Sequence, residues 1–197
     1  MDIKRLATIN RQTKETNIKM ELNLDGQGKC DINTPLPFLN HLLTLFTVHS
    51  LCDLTINATG DVEIDDHHTI EDIGICLGQL IKEAIGTKEG IKRYGEATIP
   101  MDETLVRVVL DLSGRAYLAY NLDFTRSEIG GVATENIKEF FQALVNNAAI
   151  NLHIDLIRGE NNHHIAEATF KALARAFKNA ISYEEGIKGV WSSKGKL

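Results

Sequence analysis

Glu15-Thr16-Asn17-Ile18-Lys19-Met20-Glu21-Leu22-Asn23-Leu24-Asp25-Gly26 aligns without a gap on Glu103-Thr104-Leu105-Val106-Arg107-Val108-Val109-Leu110-Asp111-Leu112-Ser113-Gly114, a shift of 88 residues. In the first stretch Ile18, Met20, Leu22 and Leu24 alternate with polar residues. This is the period-two pattern of a strand with one buried face, closed by a glycine turn. Such a segment recurring within 197 residues marks an internal duplication, and the rest of the chain is organised around it.

Working outward, residues 28–33 and 115–121 read as return strands. A helix starting at Pro37 carries the apolar stripe Phe38, Leu42, Leu45 and Phe46; its counterpart over 134–148 carries Ile137, Phe140, Phe141 and Leu144. Strands are predicted at 53–58 and 150–157. Each half then closes with a second helix, burying Ile73, Leu77, Leu80 and Ile81 in one case and Phe170, Leu173, Ala174 and Phe177 in the other. The chain therefore reads as α+β, with two β-β-α-β-α halves, residues 1–88 and 89–197, meeting near 86–90. No low-complexity linker separates them, which predicts one compact unit with a pseudo-twofold axis. Packing the sheets together with the helices outside is the expected layering.

Each closing helix opens on the same motif: Asp66-His67-His68-Thr69-Ile70-Glu71 and Asn162-His163-His164-Ile165-Ala166-Glu167. Residues three and four apart share a helix face, so Glu71 can converge with His67 or His68, whereas adjacent imidazoles diverge by about 100°. One histidine of each pair can thus serve one metal and its neighbour a second. A single HHxxE also fits a solvated helix start, but four of the seven histidines fall in these two hexapeptides. Imidazole and carboxylate without thiolate suit Mn, Fe, Co, Ni or Zn over a Ca or Mg cage. On residue type alone, His41 on a helix and His153 in a strand fit hydrogen-bonded core histidines. Glu15 fits a surface carboxylate.

The bulk properties fit a soluble enzyme. The chain is 43% hydrophobic and 24% charged, enough to bury a core, and its net charge of −6 disfavours nonspecific nucleic-acid binding. Cys30, Cys52 and Cys76 are odd in number and widely spaced, as reduced structural thiols in a cytoplasmic protein would be. No secretion signal follows Met1-Asp2-Ile3-Lys4-Arg5, and no run approaches the roughly 18 apolar residues of a membrane span.

From about Ile9 to Leu197 a set of ordered motifs resembles the imidazoleglycerol-phosphate dehydratase family of histidine biosynthesis. They are Arg11-Gln12-Thr13-Lys14-Glu15-Thr16, Pro37-Phe38-Leu39-Asn40-His41, Asp65-Asp66-His67-His68-Thr69-Ile70-Glu71-Asp72, Pro100-Met101-Asp102-Glu103, Asp111-Leu112-Ser113-Gly114-Arg115, Phe170-Lys171-Ala172 and Ser193-Lys194-Gly195. The resemblance implies a ribosomal protein S5 domain 2-like fold and two Mn²⁺ per active site, held by residues matching His41, His67, His68, Glu71, His153, His163, His164 and Glu167. It implies substrate contacts at Glu15, His41, His49, Arg93, Arg115, His163, Lys171, Ser193, Lys194 and Gly195. It also implies a homo-oligomer of 24 subunits built from trimers, with sites shared between subunits.

The implied reaction removes water from the glycerol side chain of imidazole glycerol phosphate and yields imidazole acetol phosphate. The proton to be lost is not acidic and has no adjacent carbonyl. A metal-bound imidazolate able to expel the neighbouring hydroxyl, giving a diazafulvene-like intermediate, explains the need for two cations. Glu15 matches the family's acid/base glutamate. Arginine and lysine suit the phosphate. Three positions depart from the family pattern: Asn40 in place of a common Asp, expected to alter a hydrogen bond behind the metal ligands; Ala116 in place of Pro; and Ser193 in place of Thr. A metal-storage scaffold would use the same HHxxE sets without the cations. A dinuclear phosphate-ester hydrolase would use both, and would release inorganic phosphate.

Overall fold

A computed structural model describes residues 5–197; residues 1–4 of the predicted first half lie outside the described residues. The first half contains β1 (Leu6–Gln12), β2 (Thr16–Asn23), β3 (Cys30–Asn33), α1 (Pro37–Ser50), β4 (Asp53–Gly60) and α2 (His67–Ile85). The second contains β5 (Tyr94–Met101), β6 (Thr104–Asp111), β7 (Tyr117–Asn121), a two-stranded β8 (Glu128–Ile129) and β9 (Val132–Ala133), α3 (Thr134–Ala148), β10 (Asn151–Arg158) and α4 (Asn162–Ile181). The sheet orders β1-β2-β4-β3 and β5-β6-β10-β7 are the same design twice.

Three sequence expectations need correction. Each half begins with an additional strand, β1 or β5. Both are edge strands whose inward residues start small, Ala7 in one and Gly95 and Ala97 in the other, so their apolar signal is weak. Gly95 is small for a reason: a Cβ there would lie 1.9 Å from the Ala176 carbonyl oxygen on α4. Second, β3 and β7 do not return against β2 and β6. They lie parallel to β4 and β10, reached by the α1 and α3 crossovers.

Third, the layers are inverted. Helices α1 and α2 pack on the first sheet, α3 and α4 on the second, and the halves meet through α1 against α4 and α2 against α3. The order is sheet, helices, helices, sheet. Accordingly α4 is buried on nearly every side, from Ile165 and Ala166 through Phe170, Leu173 and Phe177 to Ile181, whereas the outer faces of β2 and β4 are exposed. Apolar periodicity shows which face of an element is buried, not which neighbour buries it. Gly74 and Gly78 allow the central contact: a Cβ at either would lie 2.6 Å from a carbonyl oxygen of α3, that of Phe140 or Leu144.

Candidate active site

The hairpin carrying Glu15 is anchored to α2 from below. Asp72, buried one residue past the first HHxxE, accepts from Arg11 Nε at 3.0 Å and from Thr16 Oγ1 at 2.5 Å. Thr13 Oγ1 accepts from the backbone N–H of Glu15 and Thr16 and tightens the turn. Glu15 is left exposed, in a groove of about 320 Å³ that it shares with Thr13, Asn17, Gly60, Asp61 and Glu63.

At the start of α2, His67 faces Glu71 at 3.7 Å while its Nδ1 is held by Asn136 Oδ1 of α3 at 2.9 Å. Asp66 fixes Asn136 in turn, accepting from its Nδ2 at 2.8 Å. His68 turns away, its ring at 85° to that of His67, and its Nδ1 meets Asp61 at 3.1 Å. With Nδ1 occupied in both rings, Nε2 is the nitrogen left to face outward.

The start of α4 repeats this with a different cast. Asn161 caps the helix by accepting from the His163 N–H at 3.0 Å. Glu167 Oε1 lies 2.9 Å from His163 Nε2 and 2.6 Å from His41 Nε2, and its Oε2 accepts from Lys171 Nζ at 2.7 Å. Burial works against the Glu167 anion, but these three partners outweigh it and hold its pKa down to about 2. His164 diverges from His163 by 81°, and its Nδ1 meets Glu103 Oε2 at 2.8 Å. That bond, with backbone N–H donors, lowers Glu103 to about 2.

His41, His163 and Glu167 are the one group of at least three metal-capable side chains brought together among the described residues, with ligand atoms within 4.8 Å of each other. Two imidazole nitrogens and a carboxylate oxygen on one small volume fit a first-row divalent cation, and no thiolate competes: Cys52 and Cys76 are buried, and Cys30 lies on β3. His41 and His153 are both exposed, contrary to the expectation of hydrogen-bonded core histidines.

The remaining residues lie elsewhere. His153 projects from β10 opposite Val109, its ring 5.6 Å from that of Tyr117. Arg93 makes a two-point pair with Asp111 at 2.7 and 3.0 Å and donates to the Trp191 carbonyl at 2.9 Å, tethering the C-terminal segment. Arg115, Ser193, Lys194 and Gly195 are exposed, and the Gly195 N–H closes a turn onto the Ser192 carbonyl. Glu103 and Asp111 bracket β6 at some 3.3 Å per residue, so Arg93 lies about 25 Å along the sheet from the Glu103–His164 pair. One chain does not bring these two clusters together. His49, in the last turn of α1, is pushed below the ordinary imidazole value by burial and by Lys171 and Arg175 of α4.

Asn40 does not touch the ligand set. Its Oδ1 accepts from Thr34 N and Oγ1, and its Nδ2 donates to the Thr34 carbonyl, so it shapes the entry to α1. The expected hydrogen bond behind the ligands is supplied instead by Asp61, Glu103 and Asn136, none of which the sequence singled out for this task. Asp61 and Asn136 carry no local signal, since their partners are set by tertiary contact. Glu103 was visible as the repeat partner of Glu15 and within Pro100-Met101-Asp102-Glu103, with no role attached.

A duplicated α+β chain whose paired helices each open on two imidazoles and a carboxylate, oriented by acceptors behind them, defines a duplicated fold with a candidate metal-binding site. The sequence model of the family described as imidazoleglycerol-phosphate dehydratase matches residues 34–177. The imidazoleglycerol-phosphate dehydratase of Syntrophomonas wolfei is 60% identical over the whole of both chains, and that of Geobacter sulfurreducens is 54% identical over 98% of this chain and 99% of its own. The crystal structure of the Staphylococcus aureus enzyme superposes with a TM-score of 0.83 at 47% identity, covering 91% of this chain and 99% of that one. The Pyrococcus furiosus enzyme, in complex with (S)-C348, gives 0.82 at 38% identity over 96% and 100%. The chain belongs to the imidazoleglycerol-phosphate dehydratase family, and is an enzyme of the hydro-lyase type. Among the described residues no helix is long and apolar enough to cross a membrane.

Proposed function

We propose that this chain dehydrates imidazole glycerol phosphate to imidazole acetol phosphate in the cytoplasmic biosynthesis of histidine, using two Mn²⁺ per active site. The observation that carries the proposal is the division of labour around the motifs: five of the eight candidate ligands, His41, His67, Glu71, His163 and Glu167, are paired with one another imidazole to carboxylate, while Glu15 is held beside them by Arg11, Asp72 and Thr13 with its carboxylate unengaged.

The clustering of His41, His163 and Glu167 supports reading these three as ligands of one ion; His67, His68 and His164 through their outward Nε2 atoms, with Glu71 and His153, are the remaining proposed ligands. Two cations held by these residues would supply Lewis acidity, stabilising negative charge in the substrate's imidazole ring and so acidifying its carbon-bound proton. Glu15 accepts that proton, its exposed carboxylate meeting substrate from the groove at the β1–β2 turn. Lys171, one turn beyond Glu167, offers an ammonium to the phosphate, and Arg93, Arg115, Ser193 and Lys194 offer guanidinium, hydroxyl and ammonium donors. His153 and the Arg93 cluster lie at the far end of the sheet from His163 and His164, which supports a site assembled between copies in a metal-linked oligomer, 24 subunits built from trimers.

Mn-loaded protein incubated with imidazole glycerol phosphate should release water and keep its phosphate. Chelation should both stop turnover and dissociate the assembly. Full metal content with no dehydration overturns the proposal, and release of inorganic phosphate would place the chain among dinuclear hydrolases.

A further inference from the structure

The two halves orient their divergent histidines in different ways. A Cβ on Gly60 would meet Thr69 and Thr16, and one on Gly159 would meet Ile165 and Thr104. Thr16 and Thr104 are repeat partners, and Thr69 and Ile165 occupy the same place in the two HHxxE motifs, so Gly60 and Gly159 are counterparts. Their successors, Asp61 and Glu160, are counterparts as well.

In the first half the Asp61 carboxylate takes His68 Nδ1 at 3.1 and 3.2 Å, and the Asp61 N–H donates to the backbone carbonyl of Glu15 at 3.2 Å. In the second half the Glu160 N–H donates to the side chain of Glu103 at 3.3 Å, the Asn161 N–H does so at 2.8 Å, and the same carboxylate takes His164 Nδ1. Glu160 itself is exposed and is not the acceptor for His164. Glu15 and Glu103 are repeat partners, so one duty is performed by the strand-start glutamate in one half and by the loop aspartate in the other.

Loop length accounts for the exchange. The segment between Gly159 and His163 is three residues shorter than that between Gly60 and His67. The short loop brings its N–H groups against the start of β6, where they require an acceptor, and Glu103 is folded in to meet them. The longer loop lets Asp61 lie back onto His68.

We propose that Asp61 and Glu103 are matched positioning residues for His68 and His164, and that Asp61, by engaging His68 Nδ1, is what leaves the Glu15 carboxylate free for proton transfer. The last clause rests on the function proposed above; the positioning does not. Without Asp61, the groove keeps two carboxylates, Glu15 and Glu63, and Glu15 is the one whose charge acts on His68.

The test compares Asp61→Ala, Asp61→Asn, Glu103→Ala and Glu103→Gln with the parent protein. It reads the His68 and His164 tautomers by ¹⁵N NMR of the folded metal-free protein, Mn content after dialysis, and turnover. Asp61→Ala should lose the single Nδ1–H tautomer of His68 alone, and Glu103→Ala that of His164 alone, each with Mn affinity or turnover down about 10- to 100-fold. Asp61→Asn and Glu103→Gln keep an acceptor oxygen and should recover most of the loss. Parent-like tautomer and Mn affinity in both alanine variants, or amide variants as impaired as the alanines, would overturn the proposal. The tautomer and metal readouts need no turnover, so a chain inactive on imidazole glycerol phosphate would defeat the proposed function while these readouts still decide the positioning roles.

Discussion

The contact between halves passes beneath the first HHxxE motif, so a packing change there should be felt at His67. Helices α2 and α3 run parallel, with Gly74 on Phe140 and Gly78 on Leu144, and two turns earlier the same pair is bridged by His67 Nδ1 and Asn136 Oδ1 at 2.9 Å. Replacing Gly78 by Ala puts a methyl 2.6 Å from a carbonyl oxygen and close to Asn147 Cβ and Ala148 N, backbone that cannot rotate aside. Ordinary contact begins near 3.4 Å, so the helices must part by about 0.8 Å. Overpacking of this kind costs about 1–3 kcal/mol, and the better helix propensity of alanine returns about 1 kcal/mol. The net loss for Gly78→Ala is then about 0–2 kcal/mol, or up to about 8 °C in Tm for a domain of this length.

Gly74→Ala calls for the same separation. The double variant should therefore cost less than the sum of the two, because one movement relieves both clashes. Parting the helices also lengthens the His67–Asn136 bond beyond hydrogen-bonding range, so Mn affinity should fall in step with Tm. Thermal melts and metal titration of both single variants and the double one test this, with Gly186→Ala as the control, since nothing lies within 4 Å of that position. A rise in Tm on Gly78→Ala, or strictly additive losses in the double variant, would refute the close-contact argument.

Glu15→Gln should abolish turnover by at least about 100-fold, the scale of a lost general acid or base, with Mn content unchanged because no ligand is touched; an active variant would remove Glu15 from the proton-transfer role. For Glu167, a folded-state pKa of about 2 against an ordinary 4.5 means stabilisation that is complete above pH 4.5 and lost as pH falls through about 2. Chemical denaturation of the metal-free protein from pH 5 to 2 should show a steeper slope in the parent than in Glu167→Gln, which keeps the part due to Glu103, also held at about 2; equal slopes would show that Lys171, His41 and His163 do not hold the anion.

Much of the fold could be read from the strand repeat because a gapless 12-residue alignment carries register with it: the observed pairing of β2 with β1 and β4 is matched by that of β6 with β5 and β10. The bounds of α3 followed from its stripe. What escaped depends on partners. Ala7 and Gly95 look unlike core residues until the helix above them is known, and a helix buried on two sides, like α4, has the same stripe as one buried on one side until its second neighbour is found. At the site, the HHxxE spacing conveys the divergence of the imidazoles and the convergence of His67 with Glu71, since both are properties of one helix. That His41 joins His163 over Glu167, across α1 and α4, is a property of the packing. Only the resemblance pointed to it.

Duplication ordinarily predicts equal sites, and here the inequality has a locatable origin. Both halves must orient an imidazole by its Nδ1, and both begin a strand with a glutamate able to do it. In the second half a loop shorter by three residues leaves N–H groups that draw that glutamate into a structural role; in the first, a longer loop supplies Asp61 instead and the glutamate remains exposed. Lys171 has no cationic counterpart either: four residues past Glu71, where Lys171 stands past Glu167, α2 carries the half-buried Ile75. On the proposed function, a symmetric pair of HHxxE frames becomes a directional site, with an unengaged carboxylate beside one frame and an ammonium beside the other, through loop length and one exchanged side chain.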